Sequence, residues 1–215
     1  MKRIVFLLAG TLLVVSVGAN AGPYGHRGYG PVPGYNMPPG HVPPRPDMHT
    51  ATPAELLRDG IYRMRAYLAK NPDAADADNL RFLEDNIAHY FDFERMAYWV
   101  GGDYYRRMNA QEKYHFQNRL RDMFFAALAR QLGMFANPVP RVTFGRPRVV
   151  SRNEIEVAAR VMPERGYPVR ILFRFFRTPK GWKVYDVTSN GVSAVVYYRD
   201  FFRKQMRQRA AGGHS

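Results

Sequence analysis

At Asn137-Pro138 the hydrophobic period of this chain changes, and that change limits the folds open to it. Before the dipeptide, apolar residues recur three and four apart; after it they alternate. Leu56, Leu57, Ile61, Met64 and Leu68 form a helical stripe. It opens on Thr52-Pro53-Ala54-Glu55, a capping box with proline at the first helical position, and stops at Asn71-Pro72. A second helix is predicted over about residues 77–89, with Leu80, Leu83 and Ile87 inward. A short third starts at Asp92 and is interrupted by Gly101-Gly102. Asn109 and Glu112 open a long fourth, striped by Phe116, Leu120, Met123, Phe124, Ala127 and Leu128.

Beyond the switch, Ile155, Val157, Ala159 and Val161 alternate with Glu154, Glu156, Ala158 and Arg160. Val169, Ile171, Phe173 and Phe175 do the same with Arg170, Leu172, Arg174 and Phe176. Turn residues at 163–167 and 178–181 separate these strands from each other and from a further one over 182–187. A less regular strand is predicted over 139–150, and a closing helix over 192–206. Helices, then an antiparallel meander, then one helix make an α+β pattern. A sheet with one apolar face needs helices packed over that face.

The two ends lie outside this domain. Met1-Lys2-Arg3 precedes an apolar run of about 14 residues, Ile4 to Val17, and Ala19-Asn20-Ala21 has the small-x-small pattern of a signal-peptidase site. The run is too short for a bilayer, which needs ~20 residues. Residues 1–21 therefore read as a cleaved signal peptide, and the periplasm of a double-membraned cell is the expected compartment. Residues 22–48 read as a disordered Gly/Pro/Tyr-rich tail: 22–47 hold six Gly and eight Pro. The folded domain is expected over 49–208 and a disordered C-terminus over 209–215.

Charge and cysteine usage narrow the function. The formal charge is +14, but an exported chain does not meet nucleic acid, so the field must face lipid headgroups, cell-wall polymers or acidic proteins. Eleven basic and three acidic residues between Arg141 and Lys183 put that charge on the outer face of the sheet. The chain has no cysteine, which removes disulfides, thiolate catalysis and Cys-ligated metals.

Catalytic chemistry is thin. Gly191-Val192-Ser193-Ala194-Val195 lies between strand and helix but lacks the second glycine of a nucleophile elbow, and the histidine that follows it is His214 near the end of the chain. His89 and His115 lie on different helices without a second ligand at metal spacing, and His26, His41 and His49 are scattered in and beside the tail. No catalytic residue and no metal site is expected. Asp186 falls mid-strand, on the face of Trp182 and Val184 by strict alternation, where a carboxylate needs a partner. Arg199 on the apolar side of the closing helix is the expected partner, as a buried structural pair.

Phe91-Asp92-Phe93-Glu94-Arg95-Met96-Ala97 and Gly102-Asp103-Tyr104-Tyr105-Arg106 resemble the MlaC (toluene-tolerance) family of periplasmic phospholipid carriers. So do Gly181-Trp182-Lys183-Val184-Tyr185-Asp186-Val187, Gly191-Val192-Ser193, Tyr198-Arg199 and Phe202. The similarity runs over about residues 50–207. The tail is extra, Asn109-Ala110-Gln111-Glu112 lacks the family's proline, and Asn190 stands where an acidic residue is expected. The resemblance implies a highly curved antiparallel sheet of about four strands, a cystatin-like or nuclear-transport-factor-like cone, with helices on one face and a C-terminal helix. It also implies a non-enzymatic, monomeric carrier. Phospholipid would be cargo rather than cofactor, moved between an outer-membrane lipoprotein complex and an inner-membrane ABC transporter with an MCE-domain subunit, so maintaining outer-membrane asymmetry.

The pocket of such a carrier would be lined by Met96, Trp99 and Val100 of the third helix and Phe124 and Leu128 of the fourth. Val157, Val161, Ile171 and Phe173 of the strands and Val195 of the closing helix would complete it. Two alternatives stay open: an interaction or cell-wall-binding protein with a basic sheet face and a filled core, and a cone-fold enzyme using Asp186 as general base. Cleavage after Ala21 predicts that exported protein begins at Gly22, which intact-mass spectrometry checks; retention of Met1 would overturn it.

Overall fold

The computed structural model describes residues 44–134, 139–164 and 166–212. The segment expected to be a signal peptide, most of the expected tail, His26, His41, Asn137-Pro138 and His214 lie outside the described residues. Helix α1 (Pro53–Lys70) begins as the capping box requires: Thr52 Oγ1 accepts the Glu55 N–H at 3.3 Å, and the Glu55 carboxylate accepts the Thr52 N–H at 2.8 Å. Its buried stripe is Leu56, Leu57, Ile61 and Leu68. Helix α2 (Asp76–Asn86) buries Leu83 completely and is tied to α4 by Asn79, whose amide donates to the Ala129 carbonyl at 3.3 Å.

The second helix is shorter than its periodicity predicts. It stops at Ile87, and a single 3-10 turn, Ala88–Tyr90, leads into extended backbone at Phe91. The reason is tertiary. Phe91 forms a parallel bridge with Val184, and the Asp92 N–H donates to the Val184 carbonyl at 2.8 Å, so this segment must leave the helix to meet the sheet. Asp92 then caps α3 (Phe93–Arg107), which kinks at Gly102, where φ is +53° and ψ −129°. Asn109 and Glu112 cap α4 (Ala110–Met134) reciprocally at 2.9 and 2.8 Å. This helix packs against both α2 and α3. It therefore buries Phe125 and Ala129 as well as part of the predicted stripe, including Leu120 and Phe124.

The sheet is antiparallel, in the order β1-β3-β4-β5-β6, with β2 also paired to β3. It comprises β1 (Arg141–Phe144), β2 (Arg148–Ser151), β3 (Glu154–Met162), β4 (Val169–Thr178), β5 (Gly181–Ser189) and β6 (Val192–Ser193). Six strands replace the expected four or so for two reasons. The irregular first strand is broken at Gly145–Pro147 into two pieces that lie end to end along β3, and Val192-Ser193 adds a two-residue edge. Helix α5 (Ala194–Gly212) packs against α3 and β5 and runs past the predicted end at 206.

Pro179 and Lys180 make the tight turn between β4 and β5, and Gly181 follows with φ +91°. A Cβ there would sit 1.8 Å from the Met48 carbonyl oxygen, so the turn at 47–51 can close over this hairpin only because residue 181 is glycine. The contacts of the folded part start slightly before residue 49: Arg45 donates to Asn86 at 3.1 Å.

His89 is a packed residue. Its Nε2 is buried without a partner among the described residues, its carbonyl accepts from Lys183, and burial, then the positive charges of Arg45 and Lys183, push its imidazole down to about 4. The folded state thus keeps it neutral while the unfolded chain protonates it near pH 6.5. Stability contributed by neutral His89 is present above pH 6.5 and is lost as pH falls toward 4. Thermal melts at pH 7.5 and pH 5 should show wild type losing more stability than His89→Gln; parallel losses would mean that His89 is not linked to unfolding.

Candidate functional site

Helices α1 and α4 stand off from the sheet and leave a hollow between them. It is a cavity of about 160 Å³. Leu57, Ile61, Met64 and Leu68 line it from α1, and Phe124, Leu128 and Leu132 from α4. The sheet supplies Val142, Val161, Ile171, Phe173, Phe175, Val184 and Val187, and the turn after α2 supplies Tyr90 and Phe91. The polar side chains in this wall are Arg65, Tyr90 and Gln131. Tyr90 is spoken for: its hydroxyl donates to buried Asp59, which also pairs with Arg63 at 3.0 Å. Burial and the Asp59 carboxylate push the phenol up to about 12.

A β-bulge sets which residues face this hollow. Arg174 pairs with Asp186 but Phe175 pairs with Val184, so Tyr185 is an extra residue in β5. Val184 and Val187, three apart, consequently both line the cavity, opposite Phe175 and Phe173. Strict alternation had placed Asp186 on the face of Val184; the extra residue turns it to the opposite face, beside Arg174.

The expected Asp186–Arg199 pair is not formed. Asp186, 1% exposed, accepts the Ser193 hydroxyl at 2.7 Å and the Val195 N–H at 3.1 Å, and lies 3.7 Å from Arg174 Nη1. Ser193 Oγ in turn accepts the Val196 N–H at 3.2 Å. These two side chains satisfy N–H groups that the first turn of α5 leaves free, and the carboxylate complements its dipole. Arg199 instead donates twice, at 3.1 and 2.8 Å, to the Trp99 carbonyl. The ordinary helical partner of that carbonyl is the Asp103 N–H, one residue past the Gly102 kink. Arg174 gathers Glu154 at 2.8 Å, Glu156 at 3.9 Å and Asp186 on the outer face, and Tyr185 also donates to Glu154. The middle of that face is therefore ion-paired, and Arg146, Arg152, Arg170 and Arg177 lie exposed toward the ends of the strands.

Of the ten residues expected in a pocket, Phe124, Leu128, Val161, Ile171 and Phe173 line the hollow. Val157 is fully buried in packed core. Met96 and Val195 are buried in the same core cluster, away from the hollow, because α3 and α5 gather at the β5 edge instead of covering the sheet. Trp99 is 44% exposed. Val100 borders a separate groove of about 460 Å³ with Phe116, Arg119, Arg199 and Phe202. Sequence reasoning missed the whole α1 wall, although the stripe from Leu57 to Leu68 was its signal, and missed Arg65 and Gln131 on the two apolar stripes. Among the described residues no group of three or more His, Cys, Asp or Glu is placed to hold a metal.

Since the two residues serve different partners, their substitutions should act independently. Asp186→Asn removes a buried charge from three partners and should cost about 3 kcal/mol, and Arg199→Leu about 1–2 kcal/mol. The double variant in urea melts should equal the sum within ~0.5 kcal/mol. A clearly smaller combined loss would restore the direct pair.

The fold has known counterparts. The sequence model of the MlaC protein family matches residues 63–213. A phospholipid-binding protein from Ralstonia solanacearum, solved in complex with a phospholipid, superposes with a TM-score of 0.64 at 20% identity, over 72% of this chain and 87% of that one. No curated protein matches the chain. At 20% identity the Ralstonia likeness establishes the fold, whereas the family match spans well over half of the sequence and establishes descent. The chain belongs to the MlaC family.

Proposed function

We propose that this protein is a periplasmic carrier of phospholipid. The observation that carries the reading is the hollow between α1, α4 and the sheet, whose wall is apolar apart from three side chains. A dense protein interior leaves few voids larger than a water molecule. Here the branched and aromatic side chains of Ile61, Leu128, Val161 and Phe173 face open space. Each methylene taken from water into such a space gains ~0.8 kcal/mol, so acyl chains that cannot cross an aqueous compartment alone are stable inside it. The phospholipid bound to the Ralstonia protein of the same fold supports the same class of ligand.

The finer reading is a shuttle between an outer-membrane lipoprotein complex and an inner-membrane ABC transporter with an MCE-domain subunit, in the service of outer-membrane asymmetry. The signal-peptide pattern at residues 1–21 and family membership support it. It needs no chemistry at the ligand. Asp186, the residue that an enzymatic reading would use, is absent from the cavity wall and engaged at the start of α5.

Protein purified from cells under native conditions should carry phospholipid, visible as a mass increment by native mass spectrometry. Val161→Trp and Leu128→Trp fill the hollow from opposite walls and should reduce bound lipid at least several-fold while circular dichroism stays unchanged. Overpacking a filled core instead typically costs ~1–3 kcal/mol. Unfolding of both variants, or full lipid retention by both, would overturn the assignment of the hollow as the lipid site.

A further inference from the structure

The outer face of the sheet carries its charge unevenly. Its carboxylates Glu154, Glu156 and Asp186 are gathered by Arg174, in mid-sheet and toward the start of β3. At the other end, where β3 and β4 meet their turn, the register sets three guanidiniums side by side. Arg160 stands directly opposite Arg170, and Arg141 stands opposite Met162, which is two residues along the same face from Arg160. All three arginines are exposed. Like charges directly opposite each other on a sheet are destabilising, so this grouping costs the fold stability that a mixed face would keep. The turn between the two strands adds an exposed carboxylate, Glu164, and an aromatic ring. That ring is Tyr167, 86% exposed, the most exposed large apolar side chain among the described residues.

Each of the three arginines is the chain neighbour of a residue in the cavity wall: Val142, Val161 and Val169. Successive side chains of a strand point to opposite faces, so the cluster and the hollow lie back to back across one sheet. The hollow is also more open at this end. On its sheet wall Phe175 and Val184 are buried, whereas Val161, Val169 and Ile171 stay half-exposed toward the turn. We propose that Arg141, Arg160, Arg170 and Tyr167 form a face that docks on an anionic phospholipid bilayer and holds the open end of the hollow against the headgroup layer. Guanidinium groups pair with phosphate, and tyrosine is enriched at the headgroup level of membranes, where its ring meets apolar chains and its hydroxyl meets water. A projecting ring among cations suits that boundary. A carboxylate-rich protein would attract the same arginines but would have to supply a pocket for Tyr167. The proposal concerns where the protein rests rather than what it carries, so it goes beyond the carrier reading and can fail without it.

Each basic residue close to an anionic surface strengthens binding about fivefold, and salt screens the effect. The test sediments exported protein with vesicles of phosphatidylcholine, either alone or mixed with phosphatidylglycerol. Wild type should bind the mixed vesicles, release them in high salt, and bind pure phosphatidylcholine at least about tenfold more weakly. Replacing Arg141, Arg160 and Arg170 together by Gln should weaken binding to mixed vesicles about a hundredfold, and Arg170→Gln alone about fivefold. Tyr167→Ser should weaken it about threefold without changing its salt dependence. A control removes the same charge from the opposite end of the strands: Arg152→Gln, Arg177→Gln and Lys180→Gln together should cost less than about threefold.

Melts separate the face from the scaffold, because relieving opposed like charges should keep the Tm of the triple Arg variant level or raise it. Equal losses in the triple variant and the control would mean that net positive charge binds diffusely, which overturns the face. No binding of mixed vesicles by wild type also overturns it. So does wild-type affinity in the triple variant, which would leave the arginines to an acidic protein partner. If the triple variant unfolds, Arg170→Gln and Tyr167→Ser carry the test, and wild-type binding by both overturns the face. Native mass spectrometry of the same preparations reads the cargo separately: absence of phospholipid overturns the carrier reading, whereas the face is judged by vesicle binding alone.

Discussion

One extra residue in β5 organises much of this molecule. Because Tyr185 has no counterpart on β4, the strand faces are exchanged between Val184 and Asp186. Val184 and Val187 can then both belong to the wall of the hollow, and Asp186 is freed to hold the first turn of α5 through the Val195 N–H and Ser193. Without the bulge, alternation would keep residue 186 on the face of Val184 and residue 187 off it. A carboxylate would then enter an apolar wall, where an unpaired charge is costly. Bulges also increase local strand twist, which suits a sheet that must wrap around a space.

The hollow persists because its two sides are held at a distance by contacts made elsewhere. Helix α4 is braced from behind by α2, through Asn79 and Ala129, and by the rings of Phe91 and Phe93 against Phe124 and Phe125. Helix α1 is braced by its capping box and by the Asp59–Tyr90–Arg63 cluster. The filled part of the core, with Val157, Ala159, Leu120 and Phe125 almost wholly buried, lies alongside the open part. The two regions are lined by the same residue types. What distinguishes them is only whether the facing helix comes close enough to fill the space.

That is why sequence reading found half of the wall. The position of Val161, Ile171 and Phe173 on one sheet face follows from alternation, and the position of Phe124 and Leu128 from helical spacing. Met96 and Val195 obey the same rules and are just as buried, yet they face each other's neighbourhood between α3, α5 and β5. Arg199 shows the same limit: its spacing on α5 is that of a buried residue, but its acceptor is the Trp99 carbonyl, three residues before the Gly102 kink.

By itself the sequence determined the order of helices and strands, their caps at Thr52, Asp92 and Asn109, the turn at Pro179-Lys180 and the family to which the chain belongs. These features depend on residues a few positions apart, whose backbone preferences and hydrogen bonds act wherever the segment finally sits. Tertiary structure alone decided the early end of α2, the bulge at Tyr185, the partners of Asp186 and Arg199, and which apolar faces meet and which stay apart. Each of these is a choice of pairing or distance between elements remote in the chain. A one-residue shift of register exchanges the faces of a strand without changing a single residue.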